Sequence, residues 1–260
     1  MTNYARLYQF GFTPWERYGT AAAASIAALL DREEAERSRP LGRALDLGCG
    51  RGQYTPELAR RGWQAVGIDD VPAAIKAAAV KSRGVAGLCY VVGDVTRLDP
   101  ADLGMFDFFL DIGCFQGLNA EQRLSQGAGV CALANPGATL LLLSFGASRW
   151  RWLIEGASQE EVETAFAGWE TLAAEPADTA GLGWPMNKTA PRWYRLRRPG
   201  LEPHRPVLAL SGRRGRIPSE FPSSHFAATF PGKPHRIEKS LIYPRVSTGE
   251  KRSPCVEEIA

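Results

Sequence analysis

Apolar residues along the 260-residue chain fall into a repeating alternation up to residue 198. Ala44–Leu47, Gln64–Ile68, Leu88–Val92, Phe106–Leu110 and Thr139–Ser144 are short, nearly continuous apolar runs, the pattern of strands covered on both faces. Longer stretches of mixed polarity between them read as helices: Thr55–Arg61, Pro72–Arg83, Glu121–Leu133 and Ser158–Phe166. Punctuation agrees. Gly62 and Gly84 follow helix ends, Pro72 sits in a first turn, and Ser158 with Glu161 spells a capping box. Asn135-Pro136-Gly137 reads as a turn before the fifth strand. Gly19–Arg37, alanine-rich and then charged, predicts a helix ahead of the first strand. Trp169–Ala174 and Arg192–Arg197 predict two further strands. Only a Gly/Pro connection, 181–191, joins them, so the seventh strand is expected to run antiparallel to the sixth. The whole predicts a doubly wound α/β fold, a seven-stranded and mostly parallel sheet with helices on both faces.

The ends of the chain break this rhythm. Residues 3–18 carry six aromatics, among them Trp15, around Thr13-Pro14-Trp15-Glu16, which looks like a helix start. This is either a flap over a core edge or a lid over a ligand. Residues 199–260 hold nine of the 18 prolines and all three histidines, with ten Lys/Arg against six Asp/Glu. Such a segment buries little apolar surface and is expected to be a disordered or loosely attached extension. The division is then 1–39 as a cap segment and helix, 40–198 as the main domain and 199–260 as the extension. A formal charge of +3 does not argue for nucleic acid, and the basic clusters Arg213-Arg214-Gly215-Arg216 and Lys251-Arg252 fit a solvated tail better. Five scattered cysteines without metal-like spacing, and no basic-then-apolar leader pattern, predict a cytoplasmic protein with reduced thiols, no metal and no membrane segment.

Candidate chemistry gathers after the strands. Gly48, Gly50 and Gly52 alternate after the first, where a glycine-rich turn opening a helix leaves backbone N–H groups around a small space. Asp69 and Asp70 follow the second strand, Asp94 the third and Asp111 the fourth. Ligands of open α/β sheets bind at this carboxyl edge, and an acid after the second strand is placed to accept hydrogen bonds from ribose hydroxyls. The dinucleotide fingerprint G-x-G-x-x-G fails, because Gln53 or Thr55 stands where its last glycine is required. No phosphate-loop motif is present either.

Leu45-Asp46-Leu47-Gly48-Cys49-Gly50-Arg51-Gly52, followed in order by Val66–Asp69, Val92–Val95, Phe106–Asp111 and Pro136-Gly137, resembles the class I S-adenosylmethionine-dependent methyltransferases over residues 40–198. Phe12–Glu16 and Asp111–Gly117 are most similar to the small-molecule branch with the thiopurine and tellurite methyltransferases. The resemblance implies a Rossmann-like fold and S-adenosylmethionine as cofactor, leaving as S-adenosylhomocysteine. It implies that Asp46 and the Gly48-Cys49-Gly50-Gly52 backbone hold the methionine portion. Asp69, with Asp70 beside it, would hold the ribose, and Asp94 with the Val95 backbone the adenine edge. Trp15 would cover the cofactor, and Asp111 and Gln116 would stand beside the reacting centre. Gln116 occupies a place where this branch often carries histidine.

Methyl transfer from a sulfonium is an in-line displacement that needs alignment and exclusion of water. A base is required only if the nucleophile is protonated at working pH. Residues 1–198 contain no histidine, which favours a soft or already anionic small-molecule acceptor; Asp111, Glu16, Tyr18 and Tyr54 remain as other candidate bases. The competing expectations are a cofactor-binding protein without turnover and an RNA methyltransferase using the basic tail.

Overall fold

A computed structural model of the chain describes Tyr18 and residues 21–146, 156–179, 182, 186–200 and 241–242. Helix α1 (Ala23–Ala35) precedes β1 (Arg43–Leu47). Then come α2 (Thr55–Arg61), β2 (Gln64–Asp69), α3 (Pro72–Lys81), β3 (Leu88–Val92), a single helical turn α4 (Pro100–Leu103) and β4 (Phe106–Ile112). A 3₁₀ turn (Phe115–Gly117) leads into α5 (Ala120–Leu133) and β5 (Ala134–Ser144). They are followed by α6 (Gln159–Ala165), β6 (Glu170–Pro176), a second 3₁₀ turn (Met186–Lys188), β7 (Arg192–Arg197) and β8 (Leu241–Ile242). One sheet holds every strand in the order β6-β7-β5-β4-β1-β2-β3-β8. The first five strands pair in parallel, and β7 runs antiparallel to both β5 and β6. The expected doubly wound sheet with an antiparallel seventh strand is therefore present. It is lengthened at the β3 edge by the two-residue β8, which no apolar pattern in the tail announces.

Alternation along each strand divides the interior in two. Leu45, Leu47, Val66, Ile68, Phe109, Leu140, Leu142, Tyr194 and Leu196 face α5 and α6 residues such as Val130, Leu133, Val162 and Phe166. Ala44, Ala65, Phe108, Leu110, Leu141, Leu143 and Trp193 face α1 through Ala22, Ile26 and Leu30, joined by Leu58 and Trp63. Full burial of one such aliphatic side chain stabilises by about 1.5–3 kcal/mol. The far end of α1 is pinned by a buried polar knot. Glu33, 2% exposed, accepts from Arg195 Nε at 2.8 Å, from Arg37 Nε at 2.8 Å and from Thr139 Oγ1. Arg37, just past α1, donates to Asp107 O near the amino end of β4, so the start of α1, with Tyr18 one turn before it, lies toward the carboxyl edge.

Two local expectations change. Asn135-Pro136-Gly137 is not a separate turn but the bulged start of β5. Ala134 pairs with Phe106 and Thr139 with Phe108, so four residues span the width of one, and Gly137 takes φ +79°. Strand β4 continues through Asp111 to Ile112 because β5 supplies partners for both. The predicted helix start at Thr13-Pro14, Trp15 and Glu16 lie outside the described residues, as does the extension apart from 199–200 and β8. Among the described residues no helix is long and apolar enough to cross a membrane.

Candidate functional site at the carboxyl edge

The order β3-β2-β1-β4-β5 places the topological switch between β1 and β4, where open α/β sheets leave a crevice. The glycine loop lies there. Gly48, Gly50 and Gly52 have φ of +65°, +54° and +69°, a left-handed region that residues with a Cβ enter at a cost of about 1–2 kcal/mol. Close packing adds a second demand. A Cβ on Gly48 would sit 2.7 Å from Cys114 Sγ, and one on Gly52 would sit 2.4 Å from Tyr90 Oη and 2.9 Å from Ala78 Cβ. At those two positions the absent side chain makes room for the protein itself. The loop is seated on the turn after β4 and on α3, so its backbone is fixed before any ligand arrives.

Asp69 ties the loop to β2. Its Oδ2 accepts from Gly50 N and its Oδ1 from Val71 N, both at 2.9 Å. Cys49 N also donates to Ile68 O at 3.0 Å. Asp69 is 8% exposed, and burial raises its carboxyl above the usual range despite the two amides. Asp46 lies deeper, on the α1 face of β1. It is 2% exposed and accepts from Thr55 Oγ1 at 2.6 Å. Burial pushes it up to about 7, opposed by the Thr55 hydroxyl and reinforced by the charges of Asp111 and Asp69. Asp70 and Asp94 are the exposed acids of the edge. Burial, and then the charge of Asp94, raises Asp70. One Asp94 oxygen is taken by Thr96 N at 2.8 Å and Thr96 Oγ1 at 2.7 Å, and Val95 packs into the core.

Asp111 does not stand open beside the crevice. It is fully buried, and its Oδ1 accepts from Cys114 N at 2.9 Å and Phe115 N at 3.1 Å, while Oδ2 accepts from Gln126 Nε2 at 2.8 Å. Burial raises it to about 6 against the pull of these donors. The geometry makes it a clamp on the turn after β4. Gln116 is a second clamp, since its Oε1 accepts from Phe145 N at 2.6 Å. Arg123 is a third. Its Nε donates to Phe115 O at 3.2 Å, and its Nη2 to Gln116 O at 2.9 Å and Gly156 O at 3.1 Å. Arg123 and Gln126 escaped the sequence reading. Their only signal is a polar pair three residues apart on α5, which the sequence does not show to be the buried face. The Cys49 and Cys114 thiols are pushed well up by burial and stay protonated.

Two tyrosines complete the edge. Tyr18, 4% exposed, and Tyr54, which precedes α2, pack in the same apolar cluster, and neither hydroxyl has a hydrogen-bond partner. Burial, and then the charge of Asp178, raises Tyr18 to about 12. Burial, and then Asp46 and Tyr18, raises Tyr54 as well. Both are neutral at physiological pH and cannot serve as bases there.

Comparison with known proteins agrees with this layout. Residues 45–131, from the loop strand through most of α5, match the family model described as a methyltransferase domain. The chain is 32% identical over 112 residues to 2-heptyl-1-hydroxyquinolin-4(1H)-one methyltransferase of Mycobacteroides abscessus, covering 42% of this chain and 49% of that protein. It is 27% identical over 170 residues to the ubiquinone biosynthesis O-methyltransferase of Rhodopseudomonas palustris, covering 58% and 64%. The chain thus spans less than two thirds of the length of either relative. Among solved structures, the N-methyltransferase NodS of Bradyrhizobium japonicum, in complex with S-adenosylhomocysteine, superposes with a TM-score of 0.52 at 20% identity, covering 61% of this chain and 78% of that one. That likeness establishes the Rossmann-like fold.

Proposed function

We propose that the chain is an S-adenosylmethionine-dependent methyltransferase acting on a small-molecule acceptor. The observation that carries this is the left-handed glycine loop after β1, lashed to Asp69 at the end of β2, inside the segment that matches the methyltransferase domain. The residues present fit such a cofactor. The loop is preformed, two exposed carboxylates stand after β2 and β3, and buried phenol hydroxyls without partners lie on the other side of the loop. When bound, the cofactor would supply an electrophilic methyl group on a good leaving group.

Each Asp69 oxygen uses one lone pair on a backbone amide and keeps another for the ribose hydroxyls, with Asp70 beside it. Asp94 and the Val95 backbone take the adenine edge. Asp46 supports the loop from below through Thr55. Asp111, Gln116 and Arg123 hold the turn after β4 in place, which aligns the reacting atoms rather than moving a proton. Asp111 is sealed and hydrogen-bonded and the two phenols stay protonated, so among the described residues near the crevice none of these expected bases is available. This supports an acceptor whose nucleophile is anionic or soft when it arrives, such as an acidic ring hydroxyl or a thiolate. The hydroxyquinolone and ubiquinone O-methyltransferase names of the relatives are consistent with that class.

The test is calorimetric titration with S-adenosylhomocysteine, followed by methyl transfer from labelled S-adenosylmethionine to a panel of acidic phenols, hydroxyquinolones, thiols and amines. Saturable binding with transfer to an acidic hydroxyl or thiol is expected. No binding refutes the assignment, and transfer to amines alone refutes the acceptor class.

A further inference from the structure

Gly113 differs from the glycines of the loop. It follows β4 at the switch point, with φ +86° and its N–H donating to Leu143 O at 3.2 Å. A Cβ on Gly48 or Gly52 would strike neighbouring side chains. One on Gly113 would meet, among the described residues, only the end of Gln116, with Nε2 at 3.5 Å and Cδ at 4.0 Å. The backbone at Gly113 is thus the floor of an open niche that a ligand can approach closely. The next residue, Cys114, lies against Gly48, so the niche borders the glycine loop. Its wall has a fixed polarity. A side-chain amide can usually turn over and exchange its oxygen for its nitrogen, but that of Gln116 is held. Phe145 N can only donate, and it donates to Gln116 Oε1 at 2.6 Å, while Arg123 Nη2 holds the Gln116 main-chain oxygen at 2.9 Å. Nε2 is the end left beside Gly113. It has no hydrogen-bond partner among the described residues and is not one of their sealed orphan atoms, so a ligand can reach it. It offers two N–H donors and no lone pair.

A cofactor held by the loop and by the acids after β2 and β3 leaves the β4–β5 side of the crevice for the methyl acceptor. The niche lies on that side. Burial, and then the charges of Asp111, Asp69, Asp70 and Asp46, raises the Cys114 thiol next to it. Acids therefore set the local field, and an acceptor stays anionic there only where a donor meets it. A fixed pair of N–H groups meets an oxyanion well. It meets a thiolate weakly, because sulfur is a poor acceptor, and it opposes an ammonium, because donor faces donor. We infer that Gln116 Nε2 donates to the anionic oxygen of the acceptor and so selects oxygen acceptors, such as phenolates and enolates, over thiolates and amines. Gln116 is then a specificity-determining residue with two separate halves, an oxygen that clamps the β5 tip and a nitrogen that reads the acceptor. This rests on the reading of the chain as an S-adenosylmethionine-dependent enzyme.

The experiment uses two variants that split those halves. Gln116→Glu keeps an oxygen for Phe145 N and loses the donors, whereas Gln116→Met loses both. Methyl transfer from S-adenosylmethionine is measured at pH 8.5 to a panel of nitrophenols and their nitrothiophenol counterparts, which share ring and charge and differ in the reacting atom. Thermal melts and S-adenosylhomocysteine titrations accompany each variant. Wild type should show a KM for the phenolates about tenfold below that for the thiolates. Both variants should raise the phenolate KM by about tenfold or more, the loss expected for one hydrogen bond to a charged group. Only Gln116→Met should lower the melting temperature, and the Kd of Gln116→Glu for S-adenosylhomocysteine should stay within about twofold of wild type. A phenolate KM that rises in Gln116→Met alone makes the residue a clamp and overturns the inference, as does a wild type with equal KM values for both series. Wild type that binds S-adenosylhomocysteine but methylates no phenolate overturns it too and leaves the cofactor reading in place. Absence of S-adenosylhomocysteine binding refutes the cofactor reading and the inference with it.

Discussion

Replacing Thr55 with valine isolates the support beneath the glycine loop. Thr55 is fully buried, and its hydroxyl lies 2.6 Å from an oxygen of Asp46, which is 2% exposed. Valine keeps the branched shape and deletes the donor, so the change removes a hydrogen bond rather than opening a cavity. A hydrogen bond to a charged group contributes about 1.5–3 kcal/mol, and one between neutral groups about 1 kcal/mol. Which value applies depends on pH. Burial raises Asp46 from 3.8 to about 7, so its unfolded form ionises first. Between about pH 4 and pH 7 the native state holds the extra proton, and Asp46 contributes stability that is lost as pH rises through that window. Thr55 opposes the shift by favouring the carboxylate. Without it the folded pKa climbs further and the loss continues above pH 7. Urea denaturation, read by the fluorescence of the buried Trp63 and Trp193, should show Thr55→Val destabilised by about 2–3 kcal/mol at pH 8.5 and by about 1 kcal/mol at pH 5.5. Equal losses at both pH values would show that Asp46 is not ionised above pH 7 or that Thr55 does not bond its charge. A larger loss at pH 5.5 would invert the sign and refute the argument.

Gly52→Ala should destabilise by about 2–4 kcal/mol, from a left-handed φ and the 2.4 Å contact with Tyr90 Oη. In a Tyr90→Phe background the same substitution should cost clearly less, and an unchanged cost in the double-mutant cycle would deny that the hydroxyl is the obstacle. Asp69→Asn turns one acceptor facing a backbone N–H into a donor, so hydrogen exchange at Gly50 or Val71 should accelerate and S-adenosylhomocysteine affinity should fall by about tenfold or more; unchanged exchange and affinity together would contradict the loop geometry. Asp111→Asn faces the same conflict with Cys114 N and Phe115 N and should lose about 2–3 kcal/mol in chemical denaturation at pH 8. The loss should be smaller at pH 5, where the native carboxyl, raised to about 6, already carries a proton. Ser158→Ala removes the acceptor for Glu161 N and should cost about 1 kcal/mol by the same measurement; no loss would mean that the capping box is not formed in solution.

Much of the fold was legible from short-range pattern. The runs at β1 and β2 are apolar on both faces because both faces are covered, and α2 ends where Gly62 reaches φ +105° and closes the last turn. The capping box at Ser158 needs only four residues to be read and is formed. The start of β5 was misread because Asn135-Pro136-Gly137 carries the composition of a turn. Its real partners are Asp107, which accepts from Asn135 Nδ2 at 2.8 Å, and the bulged register with β4. Neither is visible without knowing that β4 lies alongside.

The sequence by itself determined the order of the seven main strands and the main helices between them, the antiparallel seventh strand, and the residues that follow the first four strands, because periodicity and turn chemistry are local. It therefore placed Gly48, Asp69, Asp94 and Asp111 at one edge. Only the tertiary structure decided what those residues do there. It turned Asp111 inward against Cys114, Phe115 and Gln126, bound Asp69 to the loop amides, and left the Tyr18 and Tyr54 hydroxyls buried without partners. Direction and partnership of a side chain depend on which distant element packs against it. The 14 residues between Asp111 and Gln126, or the 35 between Tyr18 and Tyr54, carry no pattern that says these groups will share, or fail to share, a hydrogen bond.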